Sequence, residues 1–392
     1  MACDAQTLIT LAYSTNKFGQ LSKRDLMLCL AAVYGVKDLG WTASFAITQA
    51  VGHGYLRLSK RDLFASLLAA ICGGSGGGPA VPAPTNLDIS NSSTNGNTIL
   101  TWSQGSAPTN NLIELSIDGN PYGQIGSVPG ASTTFTDVTV IPDGGLYRYR
   151  VRAQTGANTS DPSATVAVAS NYNHNNDNLT SISIPDLIIC YGNFLTSNET
   201  LLTILSVPSL RKVLGNFSTV ACSVLTAFNS ASLLSTGGVF QVAGCALLTS
   251  ITVTSLVSVG AAFDCSNSAL TSLSLPAFTT CILDFSVSSS PGLVTVTANS
   301  LTSITGNLLG IGCTTLTTVS MANVIYTDGN TVDFTLTNLS AASVNQILAR
   351  GVATLPGGMT FNLSGPTLAA PTGQGIADAA TLQGLGNTVN TN

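Results

Sequence analysis

Catalysis needs polar groups that converge with tuned pKa values, and this chain offers few of them. Its two histidines, His53 and His174, fall in different segments. It has no Gly-x-Ser-x-Gly elbow, no HExxH and no phosphate-cradling loop, and the Gly-rich run at 73–78 ends in Pro79 rather than a Gly-Lys-Ser helix start. Asp264 and Asp284 fall at nearby phases of a repeat and could flank a groove as a glycosidase pair does. With Asp328 and Asp333 they read more simply as turn residues. His174 and Asp177 suggest a metal, but one histidine among asparagines lacks the ligand count. Nine cysteines include no CxxC and no Cys/His cluster, so buried reduced thiols are expected. Arg148, Arg150 and Arg152 alternate along one segment and could meet an acidic partner, although a solvated strand face explains them as well. The expectation is therefore no catalytic, cofactor-binding or metal-binding residue and no cofactor, with the ligand-binding residues left open.

Composition narrows the class. The 392 residues are 44% hydrophobic but only 8% charged, against about 25% in ordinary globular domains. Ser, Thr, Asn and Gln must supply the polar surface, as in long β-structures exposed outside a cell. The net charge is −5 with no basic run, which argues against nucleic acid. No apolar run reaches the ~18 residues that span a membrane, so no membrane insertion is expected. Met1-Ala2-Cys3-Asp4 shows neither a basic nor a hydrophobic leader region. Leu67 to Cys72 loosely resembles a lipoprotein cleavage site but lies far inside the chain.

The elements that must position these residues fall into six stretches. Residues 1–72 hold a tandem repeat, with Phe18 to Leu26 matching Tyr55 to Leu63. Each copy carries a Ser-Lys-Arg-Asp capping signal between helical stretches, which predicts a small helical anchor bundle. Residues 73–81 are a Gly-rich linker. Residues 82–170 read as short alternating strands between Pro, Gly and Asn turns, a β-sandwich. Residues 171–178, NYNHNNDN, read as a polar linker. Residues 179–338 carry the strongest signal, and 339–392 read as a C-terminal cap with helices opening near Ser340 and Ala377 around a strand at Met359 to Leu363.

In 179–338 coils open at Leu179, Leu202, Leu225, Leu248, Leu270, Leu293 and Leu316, every spacing being 23 except one of 22. The fourth and ninth positions are apolar, marking one strand per coil. A Gly-Asn pair or a relative precedes an aromatic at the sixteenth position: Phe194, Phe217, Phe240, Phe263 and Phe285. Stacked at ~4.8 Å, identical phases lie above one another, so these rings are expected to form a spine, with the Gly supplying φ > 0 at a corner. Cys222, Cys245 and Cys313 share another phase.

Two stretches resemble known families. Pro82-Ala83-Pro84, Trp102 and the Tyr147-x-Tyr149-x-Val151-x-Ala153 strand resemble a fibronectin type III domain, which implies a spacer or binding module. The LTSISIP, LTSITV and LTSLSLP openings with the Phe column resemble leucine-rich-repeat solenoids of the bacterial surface type related to receptor L domains, although the usual Asn ladder after the first strand is missing. The opening Cys3 to Leu8 and the closing APTGQGIAD are similar to segments of phage structural and repeat proteins. These resemblances imply a multidomain, non-enzymatic, virion-associated bacteriophage protein, a decoration or fibre. It would be held to other virion proteins through residues 1–72 in a symmetric or homo-oligomeric assembly. Its solenoid would adhere to a host surface glycan or protein. The alternatives are a bacterial cell-surface adhesin and a polysaccharide-degrading β-solenoid enzyme.

Overall fold

A computed structural model describes residues 81–91, 97–138 and 144–392. The expected helical bundle, almost all of the Gly-rich linker, His53 and the first three cysteines lie outside the described residues. Residues 82–154 and 160–392 belong to one compact unit, which carries the antiparallel sheets and the coils.

Residues 85–169 form two antiparallel sheets. One joins Thr85–Asn91, Thr98–Ser103 and Thr134–Asp137. The other includes Gly123–Pro129, Asn110–Ile117, Leu146–Thr155 and Val166–Ala169. Leu146–Thr155 alternates buried and half-buried residues, as the pattern LYRYRVRAQT predicts for a strand with one apolar face. Tyr147, Tyr149 and Val151 meet Leu100 and Trp102 of the opposite sheet in a single core.

From Tyr172 onward the pairing is parallel. The first six coils carry three short strands each, and, apart from one break on the first face, each strand pairs with its equivalent one coil on. On the first face the strands run from Ser181–Ser183 to Thr318–Ser320, four in one sheet and three in the next, which makes seven coils. The second face stacks Leu187–Cys190, Lys212–Val213 and their equivalents. The third stacks Phe194–Ser197, Phe217–Val220 and their equivalents. The split on the first face follows from the one short coil. Cys245 and Leu248 are three residues apart, whereas their equivalents Ser268 and Leu270 are two apart, so the corner before Ser272–Ser274 is too short to continue the ladder.

The phenylalanine spine is present. Ring centroids of Phe194, Phe217, Phe240, Phe263 and Phe285 follow one another at 4.9, 5.4, 5.2 and 4.8 Å, and all five rings are fully buried. Stacking also explains the scarcity of charge: a charged residue at a repeated position would sit ~4.8 Å from its own copy.

Two expectations need correction, and a third feature follows from the second. First, the stretch 171–178 is no linker. Tyr172–Asn175 is a strand paired with Phe194–Ser197, and Tyr172 stacks on Phe194 at 4.7 Å. Its Asn and His content masks a tyrosine that takes the spine position. Second, the Gly before Asn does not supply φ > 0. Gly192, Gly215, Gly238 and Gly306 lie outside the left-handed region. They are needed for space, because a Cβ there would stand 2.1, 2.4, 2.0 and 2.5 Å from a side-chain oxygen of the preceding coil. Third, those oxygens form a ladder. Asn171, Asn193 and Asn216 accept through Oδ1 from the backbone N–H of Asn193, Asn216 and Val239 at 2.7, 2.8 and 3.0 Å, and Asp284 and Asn307 continue it to Asn307 and Thr331. This ladder runs before the third face, and among the described residues none follows the first-face strands. The left-handed corner sits elsewhere, at Asn198, Ala221, Gly244, Asn267, Ser289 and Gly312.

Thr331–Asp333 is the third-face strand of the seventh coil, and that sheet continues past it through Thr360–Leu363 and Thr388–Thr391. Val332 pairs with Phe361 and Phe361 with Val389, so these coils lengthen to 29 and 28 residues (361−332 and 389−361). Helices fill the extra length, Ala341–Thr354 and Gln374–Gly384. Ser340 caps the first by accepting from Ser343 N.

Candidate functional site

The groups best equipped for chemistry are dispersed and occupied. Asp264 accepts from Ser266 N through Oδ1 and from Gln241 Nε2 through Oδ2. Asp284 is a rung of the ladder before the third face. Asp328 accepts from Gly357 N, and Asp333 from Thr335 N, Thr335 Oγ1 and Asn362 Nδ2. The candidate pair Asp264 and Asp284 thus serves two different local networks. His174 Nδ1 lies 2.7 Å from Asp177 Oδ2, and the His174 ring packs edge-on against Tyr172. Among the described residues no group of three or more His, Cys, Asp and Glu side chains gathers to hold a metal ion.

The three arginines of the row are paired with two carboxylates. Arg148 Nε donates to Asp186 Oδ2 at 2.8 Å, Arg150 and Arg152 share Glu114, and Arg152 also donates to Ser160 O. Arg150 stacks over the Tyr122 ring at 3.9 Å. An acidic partner would have to displace these carboxylates first.

The six described cysteines are free and buried. Burial pushes the Cys190 and Cys281 thiols up to about 11 and Cys265 well above the ordinary range. Cys245 is raised by its hydrogen bond with Cys222 in the adjacent coil and by burial. A thiol must ionise to act as a nucleophile, so Cys190, Cys265 and Cys281 are packing residues, whereas the hydrogen bond with Cys245 shifts the Cys222 thiol down.

What remains is a surface. The first-face strands read SIS, ILS, AFN, SIT, SLS, TVT and TVS. The central residue of six of the seven is buried, Ile251 being the half-buried exception, and the flanking residues point outward. Eleven of those fourteen flanking residues carry a hydroxyl, one is Asn, and none is charged. The threonines preceding these strands are fixed along the coils: Thr203, Thr226 and Thr249 donate to the carbonyls of Thr180, Thr203 and Thr226 at 3.0, 3.1 and 3.2 Å. The result is a grid of hydroxyls in two blocks, of four and three coils, at the strand spacing of ~4.8 Å within each, each hydroxyl able to donate and accept. The sequence marks its composition; only the strand register shows which positions face outward together.

No protein family and no curated protein matches the chain. Solved structures similar to parts of it include titin kinase and its flanking domains, 24% identical over 22% of this chain and 16% of that chain, with a TM-score of 0.20. The twitchin kinase region from C. elegans is 23% identical over 23% of this chain and 17% of that chain, with a TM-score of 0.21. Pectate lyase PelI from Erwinia chrysanthemi, in complex with tetragalacturonic acid, is 14% identical over 71% of this chain and 85% of that chain, with a TM-score of 0.20. The chain spans less than a third of the titin and twitchin structures. At such TM-scores none of these likenesses carries weight, and the β-solenoid rests on the strand register itself.

Proposed function

We propose that this chain is a non-enzymatic surface-display protein of a bacteriophage virion. Residues 1–72 are its anchor to other virion proteins, the two antiparallel sheets are a fibronectin type III-like spacer, and the leucine-rich-repeat-like coils present an adhesive face to a host surface glycan or protein. The observation that carries the reading is the uncharged hydroxyl grid on the first face. Many weak, two-way hydrogen bonds suit a polyhydroxylated or peptide surface, and the candidate pair Asp264 and Asp284 is engaged by backbone and amide groups. A bacterial cell-surface adhesin would use the same face and differs only in what holds residues 1–72.

Cryo-electron microscopy of the particle or envelope that carries the chain tests this. Residues 1–72 seated on capsid or tail protein, with the coils projecting outward, is the expected result. Residues 1–72 seated on a cell envelope would replace the virion reading with the adhesin one.

A further inference from the structure

Residues 179–338 contain two basic residues, Arg211 and Lys212, and they are neighbours. The tenth position of the coils reads Ile188, Arg211, Leu234, Val257, Thr279, Thr302 and Ile325, so Arg211 alone breaks an uncharged column. It does so beside a cleft of about 450 Å³ where strand Thr85–Asn91 meets the first two coils. That volume lies within the roughly 300–1,000 Å³ of small-ligand sites. Leu87 and Pro185 give the cleft an apolar wall, and Asp88, Asp186 and Arg211 give it polar groups.

Two details argue for a site rather than a strut. Strand Thr85–Asn91 is bulged between Thr85 and Asp88, and Asn86 in the bulge has φ 51°. A bulge re-aims the side chains beside it. Arg211 also engages Asp88 with one nitrogen only: Nη1 donates to Oδ1 at 2.9 Å and to Oδ2 at 2.7 Å. Nε and Nη2 have no partner among the described residues, so the edge that takes a carboxylate side-on is open. With side chains 44% and 39% exposed, the Arg211–Asp88 pair by itself adds little to stability. Across the cleft Asp186 Oδ2 is taken by Arg148 Nε and Thr165 Oγ1, while Oδ1 has no partner among the described residues and can accept.

We propose that this cleft binds a carboxylated sugar. The sugar carboxylate lies side-on against Nε and Nη2 of Arg211, ring hydroxyls donate to Asp186 Oδ1 and Asp88, and the apolar face of the ring rests on Leu87 and Pro185. The proposal rests on the glycan-binding reading above and names the sugar class.

The full chain is titrated with glucuronate, N-acetylneuraminate and uncharged glucose, followed by saturation-transfer NMR. Binding of at least one acidic sugar with a Kd of about 1 mM is expected, with glucose at least about ten-fold weaker and Arg211→Gln weakening the acidic sugar by at least about ten-fold. Arg211→Lys, which keeps the charge and loses the planar edge, is expected to weaken it several-fold. Failure of the wild type to bind either acid, equal binding of glucose, or unchanged affinity in folded Arg211→Gln or Arg211→Lys overturns the proposal. Uronate and sialate responses separate the two sources of such a carboxylate. Binding of neutral oligosaccharides is measured alongside, and its persistence leaves the display reading standing when the cleft fails.

Discussion

Between Val166 and Cys190 one sheet passes from antiparallel to parallel pairing, and the kind of contact changes with it. In the antiparallel sheets each important contact is made once, between residues of different type: Tyr149 Oη donates to Asp137 at 2.9 Å, Arg150 pairs with Glu114, and Asn111 Nδ2 bridges to Ser132 O. In the coils the main contacts are made repeatedly, between residues of the same type: Phe on Phe, Asn on Asn, and Thr203, Thr226 and Thr249 each donating to the threonine carbonyl one coil back. A unit built from single contacts fails at one place. A unit built from repeats shares damage between the coils above and below, as expected when stability sums over nearest neighbours.

The largest expected effect breaks a repeated contact at its centre. Phe217→Ala removes a fully buried ring stacked on both sides and is expected to cost about 3–5 kcal/mol, read by denaturant unfolding of the coils. A loss near 1 kcal/mol would mean that the spine is incidental. Next, Gly238→Ala places a methyl 2.0 Å from Asn216 Oδ1 and is expected to cost about 1–3 kcal/mol. Asn216→Ala removes that obstacle, so the double variant should cost less than the sum of the two singles; simple additivity would refute the ladder as the reason for the glycine.

The third prediction addresses the single contacts. Burial, with the Asp137 charge and hydrogen bond, raises the Tyr149 phenol above its ordinary value. A folded pKa above the unfolded one, about 10, stabilises fully below pH 10 and loses that contribution as pH rises beyond it. Tyr149→Phe is expected to cost about 1 kcal/mol at pH 7 and then to lose less than wild type as pH rises past about 10, by one ionisation's worth of slope. Thermal melts across that range decide it, and parallel curves would count against the assignment. The smallest effect sharpens the repeat. Ala221 and Gly244 hold the same left-handed corner, at φ 56° and 68°. Ala221→Gly is expected to gain about 0.5 kcal/mol and Gly244→Ala to lose about 1 kcal/mol, in melts of the two variants.

These contrasts also explain what was legible in the sequence. The Phe column was, because one residue type recurs at one spacing. The left-handed column was not, because Asn198, Ala221, Asn267, Ser289 and Gly312 share a conformation and no side chain. The ladder was half legible: its Gly-Asn pairs stood out, but the glycine's role as space for the preceding Asn needs the coils stacked. The ion pairs of Arg148 and Arg150 join residues 38 and 36 apart in the chain, where no periodicity reaches. Arg211 was visible as the one charge at its position, yet its meaning depends on a bulged strand 123 residues earlier.

The shared strand Val166–Ala169 has a kinetic consequence. It pairs antiparallel with Leu146–Thr155 on one side and parallel with Leu187–Cys190 on the other. A bare first coil would have to order itself with no neighbour to reward it, the costly step in any stacked array. Here a finished sheet edge is already waiting, so the antiparallel region is expected to act as a seed from which the coils are laid down in one direction, each serving in turn as the template for the next.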